Sequence, residues 1–322
     1  MTDSRALDVL AIGESLGLLV PDRTGRLLSG ADLRLGFGGT ESNVAIGVAR
    51  LGGVSAWAGR LGADAVGDLI LRELRAESVA TFAARDDSVA TALMLKERPH
   101  PGTSRVTYYR RGFAGSRLQS SDIRVDAIAS ARILHVTGIS AGLGDGPLSA
   151  IHSAIDAAQA TGTRVSFDVN HRSALWSDES AARAAYRELA SRADIVFAGD
   201  DEAELLTGES TPERQLDAIL ALGADTAVIK LGDRGATVAT SAGERLAQDA
   251  WRVDVIDTVG AGDAFVAGWL TETARGATTD QCLETAIRCG AVACTGDGDW
   301  EAAPTRADLE RLTRTGGDPV IR

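Results

Sequence analysis

Asp257-Thr258-Val259-Gly260-Ala261-Gly262-Asp263-Ala264-Phe265 runs directly into the apolar helical sequence VAGWLTETA. The small residues Gly260, Ala261 and Gly262 let the backbone come close to a ligand, and the free N–H groups of a helix start attract phosphate oxygens. Asp263 then stands where negative charge would gather. As a phosphate holder it would repel its ligand; as a base it could take the proton of an attacking hydroxyl while the helix N-terminus steadies the phosphoryl group. An Asp capping a helix after a glycine turn is the plain structural alternative, but the seven-residue string with Asp257 and Thr258 ahead of it is more specific than a lone G-x-G-D.

Upstream of this passage, short β-rich runs alternate with helical stretches: Leu7 to Gly13, Glu41 to Leu51, Val54 to Gly59, Val66 to Ala76. Later strands are expected at Arg132 to Thr137, Arg164 to Asp168, Asp194 to Ala198 and Thr226 to Leu231, with a helix from Ser177 to Ala190 capped by Ser177. Such alternation predicts an α/β fold with β-α units around a mostly parallel sheet. Two stretches break the rhythm, at about 14–35 and 89–111, and read as antiparallel β segments; the second holds ATALMLKE and SRVTYYRR around a Pro-Gly turn. Together they predict a small β lid at one edge of the main sheet, or else plain edge hairpins. The chain after about Gly316 is expected to fray.

The bulk composition excludes several classes of function. With 322 residues, 44% hydrophobic and 24% charged, the chain can bury a sizeable core. Its net charge of -12 would repel nucleic acid or an anionic membrane, so any anionic ligand must be held by local cations. The N-terminal stretch MTDSRALDVLAIGESLG lacks the basic start, apolar run and cleavage site of a secretory signal. No 18-residue apolar stretch occurs, and a cytoplasmic location is expected. Cys282, Cys289 and Cys294 lack C-x-x-C spacing and read as buried thiols of a C-terminal helix, and His100, His135, His152 and His171 form no metal pattern.

The 257–263 string resembles the D-T-x-G-A-G-D signature of the ribokinase-like, PfkB-type carbohydrate kinases. Gly38-Gly39-Thr40-Glu41-Ser42-Asn43-Val44-Ala45 resembles that family's G-G-x-x-x-N-x-A signature, more than 200 residues away and in the expected order. The resemblance implies a single three-layer α/β/α domain over 1–322 with the lid inserted in it. It also implies roles: Gly38, Gly39 and Asn43 on the sugar, Gly260, Gly262 and their neighbours on the ATP phosphates, and Asp263 as catalytic base. Lys230, Gly232 and Gly235, in Lys230-Leu231-Gly232-Asp233-Arg234-Gly235, resemble the family's K-x-G-x-x-G segment beside the nucleotide, and Asn170 is assigned to the same side. ATP and Mg²⁺ are implied as cofactors, with a monovalent cation left open. Glu202 is similar to the family's glutamate that organises hydrated Mg²⁺, although Gly199 stands where the family often has Asn.

Tyr108-Tyr109-Arg110 and Asp168-Val169-Asn170-His171-Arg172, followed by Leu175-Trp176, look most like the 2-keto-3-deoxygluconate kinases within that family, as does the run Gly296 to Pro304. Met94 stands where those kinases tend to place a lid aromatic. A sugar carboxylate on an acidic protein calls for fixed guanidinium groups, which Arg110 and Arg172 can offer, with Tyr108 adding a phenol donor. The alternatives are a fructose, ribose or nucleoside kinase with the same machinery, and a catalytically silent sugar-binding module. No nucleic-acid or membrane partner is expected, and the resemblance suggests a homodimer paired through the lids.

Overall fold

The computed structural model describes residues 5–100, 103 and 105–312. The Pro101-Gly102 turn and the tail beyond Gly316 lie outside the described residues. In chain order the strands are β1 Leu7–Ile12, β2 Leu16–Pro21, β3 Leu33–Gly38, β4 Ser55–Gly62, β5 Ala80–Asp86, β6 Leu93–Glu97 and β7 Arg105–Tyr109. They continue with β8 Ala131–Thr137, β9 Arg164–Asp168, β10 Ile195–Gly199, β11 Thr226–Lys230, β12 Ala236–Thr240 and β13 Arg245–Gln248.

Nine of these strands form one sheet in the order β13-β12-β11-β10-β9-β8-β1-β4-β5. From β11 to β5 every neighbouring pair is parallel, while β12 and β13 close the other edge antiparallel. The central strands carry near-continuous apolar runs because both faces are covered; LDVLAI in β1 is buried except at Asp8. Helices Asp145–Thr161, Glu179–Ala190 and Pro212–Leu222 pack on one face through Ile151, Tyr186 and Leu216. On the other lie helices Thr40–Arg50, Ala261–Ala274 and Thr279–Ala293, through Val44, Phe265 and Leu283. The Ala261–Ala274 helix is buried from Ala264 to Glu272, which is why its sequence shows little polar face.

The two segments that break the β-α rhythm meet as a four-stranded sheet, β3-β2-β6-β7. Each hairpin is antiparallel, but the hairpins join through a parallel β2–β6 pairing, with Gly17 opposite Leu93. Leu28, Leu33, Leu35, Val106, Tyr108 and Tyr109 on these segments are exposed. Among the described residues no helix is long and apolar enough to cross a membrane.

Some local expectations need correcting. Asp178, not Ser177, caps the helix Glu179–Ala190, because its carboxylate accepts the Ala181 N–H at 2.9 Å and its backbone is extended. Cys282 and Cys289 are buried in the Thr279–Ala293 helix, but Cys294 is its half-buried C-cap residue. Strands β5 and β13 were not expected. The first runs through exposed, half-buried and buried positions with no period of two, and the second, though it alternates, is only four residues of an edge hairpin.

Candidate active site

Open α/β sheets bind ligands outside the carboxyl ends of their parallel strands, and here those ends deliver an ionisable cluster. Glu14 follows β1, Thr137 ends β8, Asp168 ends β9, Gly199 ends β10 and Lys230 ends β11. Opposite them the Ala261–Ala274 helix begins. Gly260, its N-cap, has φ +77, and a Cβ built there would sit 1.9 Å from the Asp299 carbonyl oxygen, so no other residue fits. The Ala261 amide bonds Thr258 O at 3.3 Å. That leaves the amides of Gly262 and Asp263 as the first-turn donors free for an anion.

Asp263 is reached by Asn43, whose Nδ2 donates to Oδ2 at 2.8 Å across 220 positions of sequence. Burial pushes its carboxyl up to about 7, with the charges of Asp168 and Asp299 adding to the rise against the Asn43 hydrogen bond and Lys230. A carboxylate so tuned is half ionised near neutral pH, as a general base requires. Asp299 is itself pushed up to about 6, again by burial first.

Two cavities meet at this point. One, of about 290 Å³, is lined by Glu14, Gly39, Glu41, Asn43, Met94, Lys96, Tyr108, Arg110, Asn170, Arg172, Asp263 and Asp299, among others. The other, of about 760 Å³, is walled by Gly232, Gly235, Trp251, Val253, Val255, Phe265, Ile287, Ala291 and Cys294. The first is small and polar and the second is long and largely apolar. Their linings share Lys230, Thr258 and Gly262. A third, outer cavity of about 700 Å³ opens beside the first, past Tyr108, Arg110 and Arg172.

The cations of the small cavity are nearly all committed. Arg110 donates from Nε to Glu14 Oε2 at 2.8 Å, its Nη2 bonds the same oxygen, and its guanidinium lies 4.8 Å from the Tyr108 ring centre. Burial raises the Glu14 carboxyl while Arg110 pulls it back. Lys96 on β6 donates to Asp257 Oδ2 at 2.5 Å, which ties the lid to the Asp257–Asp263 loop. Lys230 donates to both oxygens of Asp168, at 2.9 and 2.8 Å. Arg172 alone has no carboxylate partner among the described residues; its Nη1 donates to His171 O at 2.9 Å.

The sequence-predicted residues therefore sort as follows. Gly39, Asn43, Tyr108, Arg110 and Arg172 line the small cavity together with Asp263. Gly38 stands behind it, where a Cβ would overlap Asp299 Oδ2 and Met94 Cε. Asn170, expected on the nucleotide side, lines the small cavity and donates to Thr40 Oγ1 at 3.2 Å. Lys230, Gly232, Gly235, Ala261 and Gly262 line the long cavity. Glu14 and Lys96 were missed, because their partners lie 96 and 161 positions away in sequence, and Asp168 stood only as the first residue of the D-x-N-x-R resemblance. The GDGD run that holds Asp299 was noted only as a resemblance.

Glu202 accepts the Gly199 N–H at 2.7 Å and the His171 N–H at 2.8 Å, one on each carboxylate oxygen. No cluster of three or more His, Cys, Asp or Glu able to hold a metal occurs among the described residues. A Mg²⁺ here would therefore have to be carried on nucleotide phosphates rather than caged by side chains, and Glu202, whose two oxygens accept main-chain amides, is not among the residues lining either cavity.

A kinase-type architecture is what the two cavities and the amide-lined seam define. The chain matches the model of the pfkB family carbohydrate kinases over residues 6–306, and it belongs to that family. It is 36% identical to the 2-dehydro-3-deoxygluconokinase of Bacillus subtilis (strain 168), over 94% of each chain. It is 34% identical to the fructokinase of Escherichia coli, over 94% of this chain and 98% of the other. The crystal structure of a PfkB protein from Polaromonas sp. JS666 superposes with a TM-score of 0.86 at 36% identity, covering 95% of this chain and 99% of that one.

Proposed function

We propose that this sugar kinase moves the γ-phosphoryl group of ATP to a hydroxyl of a sugar acid, with 2-keto-3-deoxygluconate going to its 6-phosphate as the first choice of substrate. The observation that carries the reading is the Asp263 carboxylate, held by Asn43 at 2.8 Å beside the seam of the two cavities. ATP would lie along the long cavity with its base against Trp251, Val255 and Ile287 and its terminal phosphate at Gly262.

The transfer balances simply. Asp263 takes the proton of the sugar hydroxyl, the freed oxygen forms a bond to the γ-phosphorus, and the bond from that phosphorus to the β,γ-bridging oxygen breaks, releasing ADP. The amides of Gly262 and Asp263 meet the charge on the moving group. Mg²⁺, when bound, neutralises phosphate charge. Asn43 orients Asp263 and leaves Oδ1 for the incoming hydroxyl, and closure of the lid would exclude water.

Arg172, unpaired at the cavity mouth, supports an acidic substrate. Arg110 is neutralised by Glu14, and this favours a second reading, a neutral hexose as for the fructokinase relative. An ADP-release assay across 2-keto-3-deoxygluconate, fructose, ribose and a nucleoside separates them. Turnover preferring the sugar acid supports the proposal, and preference for fructose replaces it. Sugar binding without ADP release would identify a silent module. The same reading expects a homodimer that covers the exposed lid residues Leu28, Leu33 and Leu35, which sedimentation would detect.

A further inference from the structure

Asp168 and Lys230 form a largely buried ion pair at the seam, and beyond its effect on the charge of Asp263 the transfer step above gives it no task. The Asp168 side chain is 1% exposed and the Lys230 side chain 19%. Lys230 Nζ is anchored by both Asp168 oxygens at 2.8–2.9 Å, which uses two of its three N–H donors. It also lies 3.8 Å from where a Cβ on Gly262 would be, directly over the first turn of the anion-binding helix. Lys230 belongs to the walls of both cavities. A terminal phosphate that is to pass from one cavity to the other must cross at the residues they share.

We infer that Lys230 is a catalytic residue that puts its third N–H on the γ-phosphoryl group in transit, and that Asp168 is the positioning residue that aims it. The inference rests on the two-cavity reading above and deepens it, because it moves Lys230 from the general border of the nucleotide to the reacting phosphate. A free lysine on a four-carbon stem would sample many positions, and bidentate anchoring removes that freedom before ATP arrives. Burial alone would weaken the ammonium's hold on its proton. The Asp168 charge holds its affinity for that proton above the ordinary lysine value, so the cation survives where it is needed. The same cation faces Asp263 and favours its ionised form.

The test compares ATP and ADP binding, by calorimetry with Mg²⁺ and no sugar, in wild type, Lys230→Met, Asp168→Asn and the double variant. Loss of a charged contact to the γ-phosphate should lower ATP affinity about tenfold or more in each variant while leaving ADP within about twofold. Steady-state assays should show kcat reduced by about 10²-fold with the sugar KM little changed. The double variant, which removes both charges and so leaves no unpaired buried ion, should be no worse than Lys230→Met alone. It also serves if Asp168→Asn folds poorly. An unchanged ATP-to-ADP ratio in Lys230→Met overturns the role of Lys230. Additive losses in the double variant, or an Asp168→Asn protein altered only in melting temperature, overturn the positioning role. Since the binding ratio is read without sugar, a wild type inactive on every sugar would defeat the proposed function and leave this result to stand on its own.

Discussion

Asp263 works because its neighbours pull its proton affinity in opposite directions. Burial brings it to about 7 in the unliganded protein, and the base acts ionised, so kcat/KM should fall tenfold per pH unit below about 7 and level off above it. Asn43→Ala removes a hydrogen bond that favours the ionised form, so the acid limb should move to higher pH; a pH-rate profile of the two proteins checks the direction. Arg172→Ala should raise the KM for a sugar acid by about tenfold or more while sparing a neutral sugar, since one unpaired guanidinium is lost. Of these groups the sequence displayed Asp263, Asn43 and Arg172 openly, because each sits in a motif. It hid Glu14, which has its partner 96 positions away, and showed Asp168 and Asp299 only inside runs that resemble the family, with nothing to mark Lys230, 62 positions on, as the partner of Asp168.

At the scale of elements, the loop before the Ala261–Ala274 helix is held to the lid strand β6 by Lys96–Asp257, with Arg98, just past the strand, 3.9 Å from the same carboxylate. Lys96 is 3% exposed and Asp257 13%, and a buried pair stripped of one partner leaves a charge that the more distant Arg98 only partly offsets. Lys96→Met should therefore lower stability by roughly 3 kcal/mol and speed hydrogen exchange in β6 and β7, measured by thermal unfolding and exchange mass spectrometry. Gly260→Ala places a Cβ against the Asp299 carbonyl at 1.9 Å with φ at +77. It should cost about 1–3 kcal/mol and distort the amides that receive phosphate. The helices flanking the site and the parallel strands other than β5 were legible because 3.6-residue and continuous apolar patterns report burial. The parallel β2–β6 pairing that unites the lid was not, since register between distant strands leaves no local trace.

Across the whole molecule, the seven-stranded parallel run gathers residues from strand ends far apart in the chain into one seam, and the lid closes over one side of it. Alternating β and α segments made the sheet readable, and two distant signatures made the family readable. The charge pairing that decides which cation meets the substrate became visible only when the sheet brought those ends together. The account depends on Asp263 serving transfer between two filled cavities. The direct measurement is turnover of Asp263→Asn with ATP and the preferred sugar, together with its ATP affinity. A loss of kcat on the order of 10²–10⁴-fold with ATP binding nearly intact is predicted, and near-normal turnover would contradict it.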